Sequence, residues 1–323
     1  MPPSSDKTGD GARVRERTMS ETPEKRFDER VAIVTGAGTG MGREHAILLA
    51  ARGASVVVND VATDAADETA RIIESGGGTA VASYDDISAE LGAEALVAKS
   101  IDTYGRIDIL INNAGIFRES PFAEMTYEHF DKTMKVNTYG AFSVTRAAWP
   151  HFIEQGYGRV LFVASSAGLL SLADASNYAA SKGALVGLGR SLAAEGAEHG
   201  INVNIMLPTA ATGMGAKPLS SEDAEQMRQR VIPFIPASLI SPVVAWLVHE
   251  ESTLQGEIIE SGAGRAAASF IGSAPGYWSE SLSVEDLFDN ADAVLDRDGY
   301  QELKTAGDGA DWMFTNSGWG SRA

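Results

Sequence analysis

The feature that most constrains the fold is a regular alternation of two kinds of segment between residues 31 and 262. Short runs rich in β-branched residues alternate with longer stretches rich in Ala, Leu and charge. The strand-like runs lie at 31–35, 54–59, 79–84, 107–112, 158–164, 201–206 and 256–260. The clearest helical stretches are 41–52, 88–104, 126–155 and 176–199. Strands that alternate with helices predict a seven-stranded parallel sheet, covered by helices on both faces.

A glycine-rich turn, TGAGTGMG at 35–42, directly follows the first predicted strand and precedes a helix. Glycine at 36 permits a tight turn, and glycines at 40 and 42 let the backbone approach a pyrophosphate at the helix N-terminus. This context predicts a Rossmann-type doubly wound α/β fold that binds a dinucleotide. The cofactor-binding candidates of the turn are Gly36, Thr39, Gly40 and Met41.

Asp60 ends the second predicted strand. An acid at this position can accept hydrogen bonds from the adenosine ribose hydroxyls, and it repels a 2′-phosphate. No Arg or Lys follows it closely, and position 39 in the glycine turn is Thr instead of a basic residue. The sequence therefore predicts NAD, not NADP, as the cofactor. The alternative role for Asp60 is that of a turn residue at a strand end.

Tyr178 and Lys182 lie four residues apart in a predicted helix, so their side chains project from the same face. An ammonium beside a phenol stabilises the phenolate, and we expect Lys182 to lower the pKa of Tyr178. Such a tyrosine can exchange a proton with an alcohol or a carbonyl. Ser165, thirteen residues earlier, could hydrogen-bond the same substrate oxygen, and Ser166 competes for this role. A solvated surface pair is the alternative for an isolated Tyr and Lys.

Composition narrows the classes of function. The net charge of −18 argues against nucleic acid and anionic membrane as partners. The chain has no cysteine, which excludes disulfides and thiolate chemistry. No run approaches the roughly eighteen apolar residues of a membrane span, and no signal peptide is visible, so we expect a soluble cytoplasmic protein. The histidines have no metal-ligand spacing and are expected at the surface or at helix ends: His45, His129, His151, His199 and His249.

Two segments flank the predicted catalytic domain, residues 27–262. Residues 1–26 carry mixed charges without a hydrophobic period, which predicts a disordered tail in which Met19 is an alternative start. Residues 263–323 are short of strand signals, and we expect this extension to pack on the domain, contact another subunit or cover the substrate site as a lid. Within it, Ser283 and Asp286 predict a capping box before a helix at 284–296.

In combination, these motifs resemble the short-chain dehydrogenase/reductase family over roughly residues 28–262. The motifs recur in this order: the glycine turn, Asp86 after the third strand, Asn112-Asn113-Ala114-Gly115, Asn137 on a helix, Ser165, then Tyr178 and Lys182. The family's distances to the tyrosine and to the following Gly168 match Ser165 and not Ser166.

The resemblance implies roles for these residues. The catalytic set would be Asn137, Ser165, Tyr178 and Lys182. Tyr178 would transfer the proton, Lys182 would bind the nicotinamide ribose and tune the tyrosine, and Ser165 would position the substrate oxygen. Asn137 would hold a water that links Lys182 to solvent. The remaining cofactor contacts would come from Asp86 and Ile87 at the adenine, from the supporting turn Asn113, Ala114 and Gly115, and from Thr212 at the nicotinamide amide. The chain departs from the family here, since Pro208-Thr209 stands where Pro-Gly is usual.

A closer resemblance links five segments to the (3R)-hydroxyacyl-CoA dehydrogenase unit of peroxisomal multifunctional enzymes type 2. They are 113–118, 145–149, 191–196, 246–250 and 262–264. The resemblance implies a small hydroxy or keto substrate, foremost a 3-hydroxyacyl-CoA thioester, with a hydroxysteroid or other hydrophobic alcohol as the alternative. Candidates for binding CoA phosphates, or else solvated charges, are Arg118, Lys217, Arg228 and Arg230. The family pairs subunits through the two long helices, which implies a homodimer or homotetramer.

Two other classes of function stay open on the sequence. An epimerase or dehydratase on the same cofactor site would recycle its NAD, but such proteins usually carry G-x-x-G-x-x-G and a larger C-terminal domain. A non-catalytic NAD-binding sensor would usually lose the Tyr or the Lys, which this chain keeps. The sequence favours an NAD-dependent oxidoreductase that interconverts a secondary alcohol and a ketone.

Overall fold

A computed structural model describes residues 23–211, 226 and 229–320. One sheet in this part of the chain has the strand order β3-β2-β1-β4-β5-β6-β7-β8. The strands are β1 Val31–Thr35, β2 Ser55–Asn59, β3 Thr79–Ser83, β4 Ile109–Asn112, β5 Gly158–Val163, β6 Ile201–Thr209, β7 Ile258–Gly262 and β8 Arg265–Ser269. The first seven are parallel, which confirms the predicted doubly wound sheet. β8 adds an antiparallel edge strand. Its sequence, RAAAS, has no β-branched residue to signal it.

Helices cover both faces of the sheet. The six that precede β6 are α1 Gly40–Ala51, α2 Thr63–Ser75, α3 Glu90–Tyr104, α4 Tyr127–Met134, α5 Gly140–Gln155 and α6 Ser176–Gly196. Later in the described ranges come Ser241–Val248, Val284–Asp289, Ala291–Leu295 and Ala306–Thr315. Short 3₁₀ turns lie at Phe122–Glu124, Ser166–Gly168, Ala197–His199, Ile232–Phe234 and Ala237–Leu239. Where the helices are described, none has both the length and the apolar character needed to cross a bilayer.

Two apolar clusters lie on opposite faces of the sheet, because successive strand residues point to opposite sides. Ile33 of β1 belongs to the cluster beneath α3, α5 and α6. Its neighbours Ala32 and Val34 belong to the cluster beneath α1 and the helix Ser241–Val248. Both faces are therefore buried, which explains why the strands appear in the sequence as continuous apolar runs.

The predicted helix at 126–155 is continuous but locally widened by an extra residue. A π-helical turn, Lys135–Tyr139, joins α4 to α5. Asn137 lies in this turn and is fully buried. Single π turns occur mostly at functional sites, because they change which residues face the neighbouring elements.

The C-terminal segment has its own small elements. Gly272–Ser273 pairs antiparallel with Gln301–Glu302. The predicted capping box of Ser283 and Asp286 is confirmed, but the helix predicted at 284–296 is divided at Asn290. A guanidinium nitrogen of Arg190 in α6 donates to the carbonyl oxygens of Leu303 at 2.8 Å and Lys304 at 3.1 Å.

His45 corrects one expectation, because it is fully buried and not on the surface. Its Nδ1 lies 2.8 Å from Ser241 Oγ, between α1 and the helix Ser241–Val248. Burial lowers the pKa of His45 to about 3. His45 lies four residues before the buried Leu49 and therefore shares its helix face. This spacing is the sequence signal that would have predicted a buried histidine.

Candidate active site

The glycine turn between β1 and α1 has the backbone geometry that its sequence predicts. Gly36 and Gly40 have φ values of 63° and 57°, a region that favours glycine. A Cβ on Gly36 would lie 2.8 Å from Ala114 Cα, and one on Gly42 would lie 2.2 Å from the Gly36 carbonyl oxygen. The turn therefore leaves a side-chain-free approach to the N-terminus of α1, where an anion is favoured.

Asp60 binds the glycine turn through its carboxylate. Its Oδ2 accepts a hydrogen bond from the Gly38 amide at 3.0 Å, and its Oδ1 accepts one from the Ala62 amide at 3.0 Å. Arg43, which sequence reasoning missed, donates from Nε to the Gly38 carbonyl at 3.0 Å. Gly38 is thus held from both sides, and Asp60 has a fixed position at the end of β2.

A cleft of about 850 Å³ runs along the carboxyl ends of the strands. Ten of the predicted cofactor-binding residues line it: Gly36, Thr39, Gly40, Met41, Asp60, Asp86, Ile87, Asn113, Ala114 and Gly115. Asp86 is oriented locally, since its Oδ1 accepts from the Ser88 amide at 2.9 Å. A cleft at the carboxyl ends of a doubly wound sheet is where ligands bind in such folds.

The turn after β4 is fastened to β1. Thr35 Oγ1 accepts hydrogen bonds from the amides of Asn113 and Ala114, both at 3.0 Å. The Asn113 side chain donates back to the Thr35 carbonyl at 2.9 Å. A Cβ on Gly115 would lie 3.3 Å from Asn137 Oδ1 and 3.4 Å from Lys182 Nζ. The cofactor cleft and the predicted catalytic residues therefore meet at Gly115.

The side chain of Ser165 acts on the ionisation of Tyr178. Burial raises the pKa of Tyr178 above its ordinary value of 10.0, while the hydrogen bond from Ser165 acts in the opposite direction. Ser165 also caps the 3₁₀ turn Ser166–Gly168, its Oγ accepting from the Ala167 amide at 3.2 Å. Of the two candidate serines, Ser165 is the one whose side chain affects the pKa of Tyr178.

The predicted effect of Lys182 on Tyr178 is wrong for this geometry. Lys182 Nζ donates to the Val163 carbonyl at 2.7 Å and lies 5.7 Å from the centre of the Tyr178 ring. Burial lowers the pKa of Lys182 to about 8. The charge is directed at a carbonyl at the end of β5, so burial of the phenol dominates and the pKa of Tyr178 is raised.

Asn137 joins the turn after β4 to α6. Its Oδ1 accepts from the Ile116 amide at 2.7 Å, and its Nδ2 donates to the Ile116 carbonyl and to Ser181 Oγ, both at 3.0 Å. Ser181 Oγ in turn donates to the Tyr178 carbonyl at 2.8 Å. Asn137 thereby contacts the helix that carries Tyr178 and Lys182.

Two further residues at the site were missed in the sequence. The ring of Phe117 meets that of Tyr178 edge to face, with centroids 4.9 Å apart. The buried Asn177 donates to Thr133 Oγ1 at 3.1 Å and accepts from the Tyr178 amide at 2.8 Å. The adjacency of Asn177 to Tyr178 was the available signal, whereas no spacing rule pointed to Phe117.

The remaining candidates are either outside the described residues or at the surface. Thr212, Lys217 and Arg228 lie outside the described residues. Arg118 and Arg230 are exposed. Substrate-side contacts beyond Ser165, Tyr178 and Phe117 are therefore outside the described geometry.

The family model of the short chain dehydrogenases matches residues 30–223. Among curated relatives, a short-chain type dehydrogenase/reductase of Mycobacterium tuberculosis is 39% identical over 80% of this chain and 91% of its own length. The peroxisomal multifunctional enzyme type 2 of Mus musculus is 40% identical over 74% of this chain and 32% of its own length. The chain thus spans about a third of the mouse enzyme.

Two solved structures show the same likeness. The full-length peroxisomal multifunctional enzyme type 2 from Drosophila melanogaster has a TM-score of 0.73 and 32% identity, and covers 88% of this chain and 49% of that chain. A 7α-hydroxysteroid dehydrogenase in complex with NADH and 7-oxo glycochenodeoxycholic acid has a TM-score of 0.70 and 32% identity, and covers 74% of this chain and 95% of that chain. The fold, the order of the motifs and these similarities show that the chain belongs to the short-chain dehydrogenase/reductase family and is an oxidoreductase.

Proposed function

We propose that this protein uses NAD to interconvert a secondary alcohol and a ketone, with Tyr178 as the proton-transferring residue. The observation that carries the proposal is the contact at Gly115, where the cleft lined by ten cofactor candidates meets Asn137 and Lys182. The effect of the Ser165 side chain on the pKa of Tyr178 supports the proposal.

The residues of the cleft fit a dinucleotide. The open backbone at 36–42 would hold the pyrophosphate, Asp60 the adenosine ribose, and Asp86 and Ile87 the adenine. A Cβ at Gly36 or Gly42 would fill the cradle, which accounts for the glycines there. The nicotinamide supplies hydride transfer when bound. Thr212 stays a proposed contact to the nicotinamide amide.

The proposed catalytic roles come from the family resemblance, and the same contacts support them. Ser165 would hold the substrate oxygen beside the Tyr178 hydroxyl, where the phenol can give or take the proton. Lys182 would bind the nicotinamide ribose. Asn137 is proposed to hold a water that links Lys182 to solvent, and its side-chain bonds to Ile116 keep it beside that lysine. Phe117 packs edge to face against the Tyr178 ring and covers part of it.

NAD is proposed over NADP because of the carboxylate at the end of β2. Asp60 is fixed by the amides of Gly38 and Ala62, so its negative charge cannot swing away from a 2′-phosphate. The hydroxysteroid dehydrogenase of similar structure was solved with NADH. We expect kcat/KM for NAD to exceed that for NADP by about 100-fold, equivalent to about 2.7 kcal/mol. Equal values would contradict the assignment of Asp60.

A 3-hydroxyacyl-CoA thioester is the proposed substrate. The support is the similarity to the multifunctional enzymes type 2, which extends over 74% and 88% of this chain in the mouse and fly proteins. A hydroxysteroid is the second candidate, favoured by the similarity to the 7α-hydroxysteroid dehydrogenase.

The test is NADH formation by the purified protein with matched (3R)- and (3S)-hydroxyacyl-CoA thioesters and with free steroid alcohols. Turnover of one thioester stereoisomer would support the acyl-CoA assignment, and turnover of the free alcohols alone would replace it with the second candidate. Tyr178→Phe should abolish turnover and leave the Kd for NAD nearly unchanged. Dinucleotide binding by the native protein without turnover of any alcohol would instead favour the sensor alternative.

Pairing of subunits is proposed from the outer helices. A groove of about 760 Å³ between α3, α5 and α6 is lined by apolar side chains that include Phe142, Trp149 and Leu188. We expect a homodimer or homotetramer that covers this groove, and a monomer in Leu188→Asp. Light scattering after size-exclusion chromatography measures both.

A further inference from the structure

Gly168 lies where the turn that carries Ser165 touches the helix that carries Tyr178 and Lys182. A Cβ on Gly168 would lie 2.7 Å from the carbonyl carbon of Lys182, 2.8 Å from the amide nitrogen of Gly183 and 2.9 Å from the Lys182 carbonyl oxygen. Cβ atoms essentially never come within 3.0 Å of another heavy atom in this way. The atoms that it would meet belong to a helix backbone, which cannot rotate aside as a side chain can.

The turn on the other side of this contact is short and closed. The Gly168 amide donates to the Ser165 carbonyl at 2.9 Å, and the Ala167 amide donates to Ser165 Oγ at 3.2 Å. Three residues connected by two hydrogen bonds have little freedom to absorb a displacement. A shift of Gly168 would therefore move Ser165.

The helix side of the contact is held more firmly than the turn, because buried side chains anchor it to other elements. Lys182 Nζ is bonded to the Val163 carbonyl, two residues before Ser165. Buried side chains also fasten the start of α6 to α4, through the bond from Asn177 to Thr133. If a side chain appeared at position 168, the turn would yield before the helix did.

We propose that Gly168 is a positioning residue, whose missing side chain sets the separation between α6 and the turn 165–168 and, with it, the distance between the Ser165 and Tyr178 side chains. This inference rests on the proposed function for its kinetic consequence. Its structural consequence, a longer distance between the Ser165 and Tyr178 side chains when the separation increases, should raise the pKa of Tyr178 and can be measured without turnover.

The experiment compares Gly168→Ala with Gly309→Ala. A Cβ on Gly309, in the helix Ala306–Thr315, would meet only the end of the Leu303 side chain at 4.0 Å. For Gly168→Ala we expect kcat to fall about 100-fold, the effect of a misplacement of about 1 Å at a reacting centre. The Kd for NAD should change less than about threefold in both variants by the same logic. Gly309→Ala should keep native kcat.

A double-mutant cycle separates positioning from general damage. If Gly168 acts through Ser165, Gly168→Ala should reduce kcat less than about twofold when Ser165 is already Ala, because the lost interaction is shared. An equal reduction in both backgrounds would overturn the proposal. The acid limb of the pH profile for alcohol oxidation should also move to higher pH in Gly168→Ala, as in Ser165→Ala, because the hydrogen bond that favours the phenolate is lost.

An NMR titration of ring-labelled tyrosine, with Tyr178 assigned from Tyr178→Phe, keeps the proposal testable if no alcohol is turned over. Gly168→Ala and Ser165→Ala should raise the pKa of Tyr178 equally, and the double variant should raise it no further. An unchanged pKa in Gly168→Ala would refute the positioning role. If that variant does not fold, Gly183→Ala replaces it, since its Cβ would lie 3.2 Å from the Gly168 carbonyl oxygen and should give a smaller shift of the same sign.

Discussion

The sheet domain and the C-terminal segment are held together by different kinds of contact. Both large apolar clusters draw all their fully buried members from between Phe27 and Ile259. The helices Val284–Asp289, Ala291–Leu295 and Ala306–Thr315 bury no residue fully. Their large apolar side chains stay accessible, with Phe288 81% exposed. Cohesion in the first region comes from burial of apolar surface, and in the second from local caps and a few polar anchors.

Most contacts of the C-terminal segment join residues within the segment itself. Two capping boxes start helices at Ser283 and Thr305. The Trp312 indole donates to the Ala274 carbonyl at 3.3 Å, and the rings of Phe270 and Tyr300 stack with centroids 5.7 Å apart. Contacts of this kind can open locally without unfolding the sheet. The segment should therefore behave as a separate unit of low stability.

The largest expected effect comes from a pair of Phe→Ala substitutions, one in each region. Phe162 in β5 is fully buried, so Phe162→Ala should lower the free energy of unfolding by about 3–5 kcal/mol. Phe288→Ala removes an exposed ring and should change it by no more than about 0.5 kcal/mol. Urea denaturation monitored by circular dichroism measures both. Similar losses in the two variants would mean that the C-terminal segment shares the core.

A second effect is confined to the core and depends on pH. The pKa of His45 is about 3 in the folded protein against an ordinary value of 6.5. Between these values the unfolded chain binds the extra proton, so the free energy of unfolding falls as the pH falls below 6.5. The slope is about 1.4 kcal/mol per pH unit. Well above pH 6.5 the protonation of His45 no longer lowers the free energy of unfolding.

Urea denaturation at pH 7.5, 6.5 and 5.5 should show the free energy of unfolding falling with pH in the native protein, and His45→Gln should lose about 1.4 kcal/mol less between pH 7.5 and 5.5. His199→Gln, at a site with 38% side-chain exposure, serves as the control and should keep the native slope. Identical slopes in all three proteins would show that His45 is accessible to protons while folded.

A smaller effect is expected at the connection between the two regions. Arg190→Met removes the donor to the carbonyls of Leu303 and Lys304, and should raise the hydrogen-exchange rates around 301–305 roughly tenfold, for a loss of about 1.4 kcal/mol. Arg146→Met, which removes an exposed bond to Glu90, is the control and should leave those rates unchanged. Turnover should also be native, because Arg190 lies about 18 Å along α6 from Tyr178. Unchanged exchange in Arg190→Met would show that other contacts hold the segment.

The smallest effect concerns a single helix start. Ser283→Ala removes the cap of Val284–Asp289 and should cost that helix about 1 kcal/mol, without a change in the denaturation midpoint of the sheet domain. Exchange at the amides of 284–289 measures it, with the exposed Ser281→Ala as the matched control. A shift of the global midpoint would contradict the independence of the two regions.

The same difference separates what the sequence could and could not predict. The seven parallel strands and the glycine turn follow from local periodicity and turn chemistry. Asp60 was predicted in the same way, whereas Asp86, Ile87 and 113–115 came from the family resemblance, and all ten cofactor candidates line one cleft. β8 escaped prediction because pairing with the edge of β7, and not its own composition, makes it a strand. The burial of His45 and the raised pKa of Tyr178 depend on neighbours distant in the sequence. Spacing gives the residues of a site, but packing decides their ionisation.

The π turn at Lys135–Tyr139 has a consequence for how this helix tolerates insertions and deletions. One residue of helix corresponds to about 100° of rotation, so the extra residue decides whether Asn137 faces Ile116 and Ser181 or points away from both. Removing one residue within the turn would restore an ordinary helix with no loss of apolar character, yet it would rotate α4 relative to α5 by that angle. Chain length between 127 and 155 is therefore as strict a requirement as the identity of Asn137 itself.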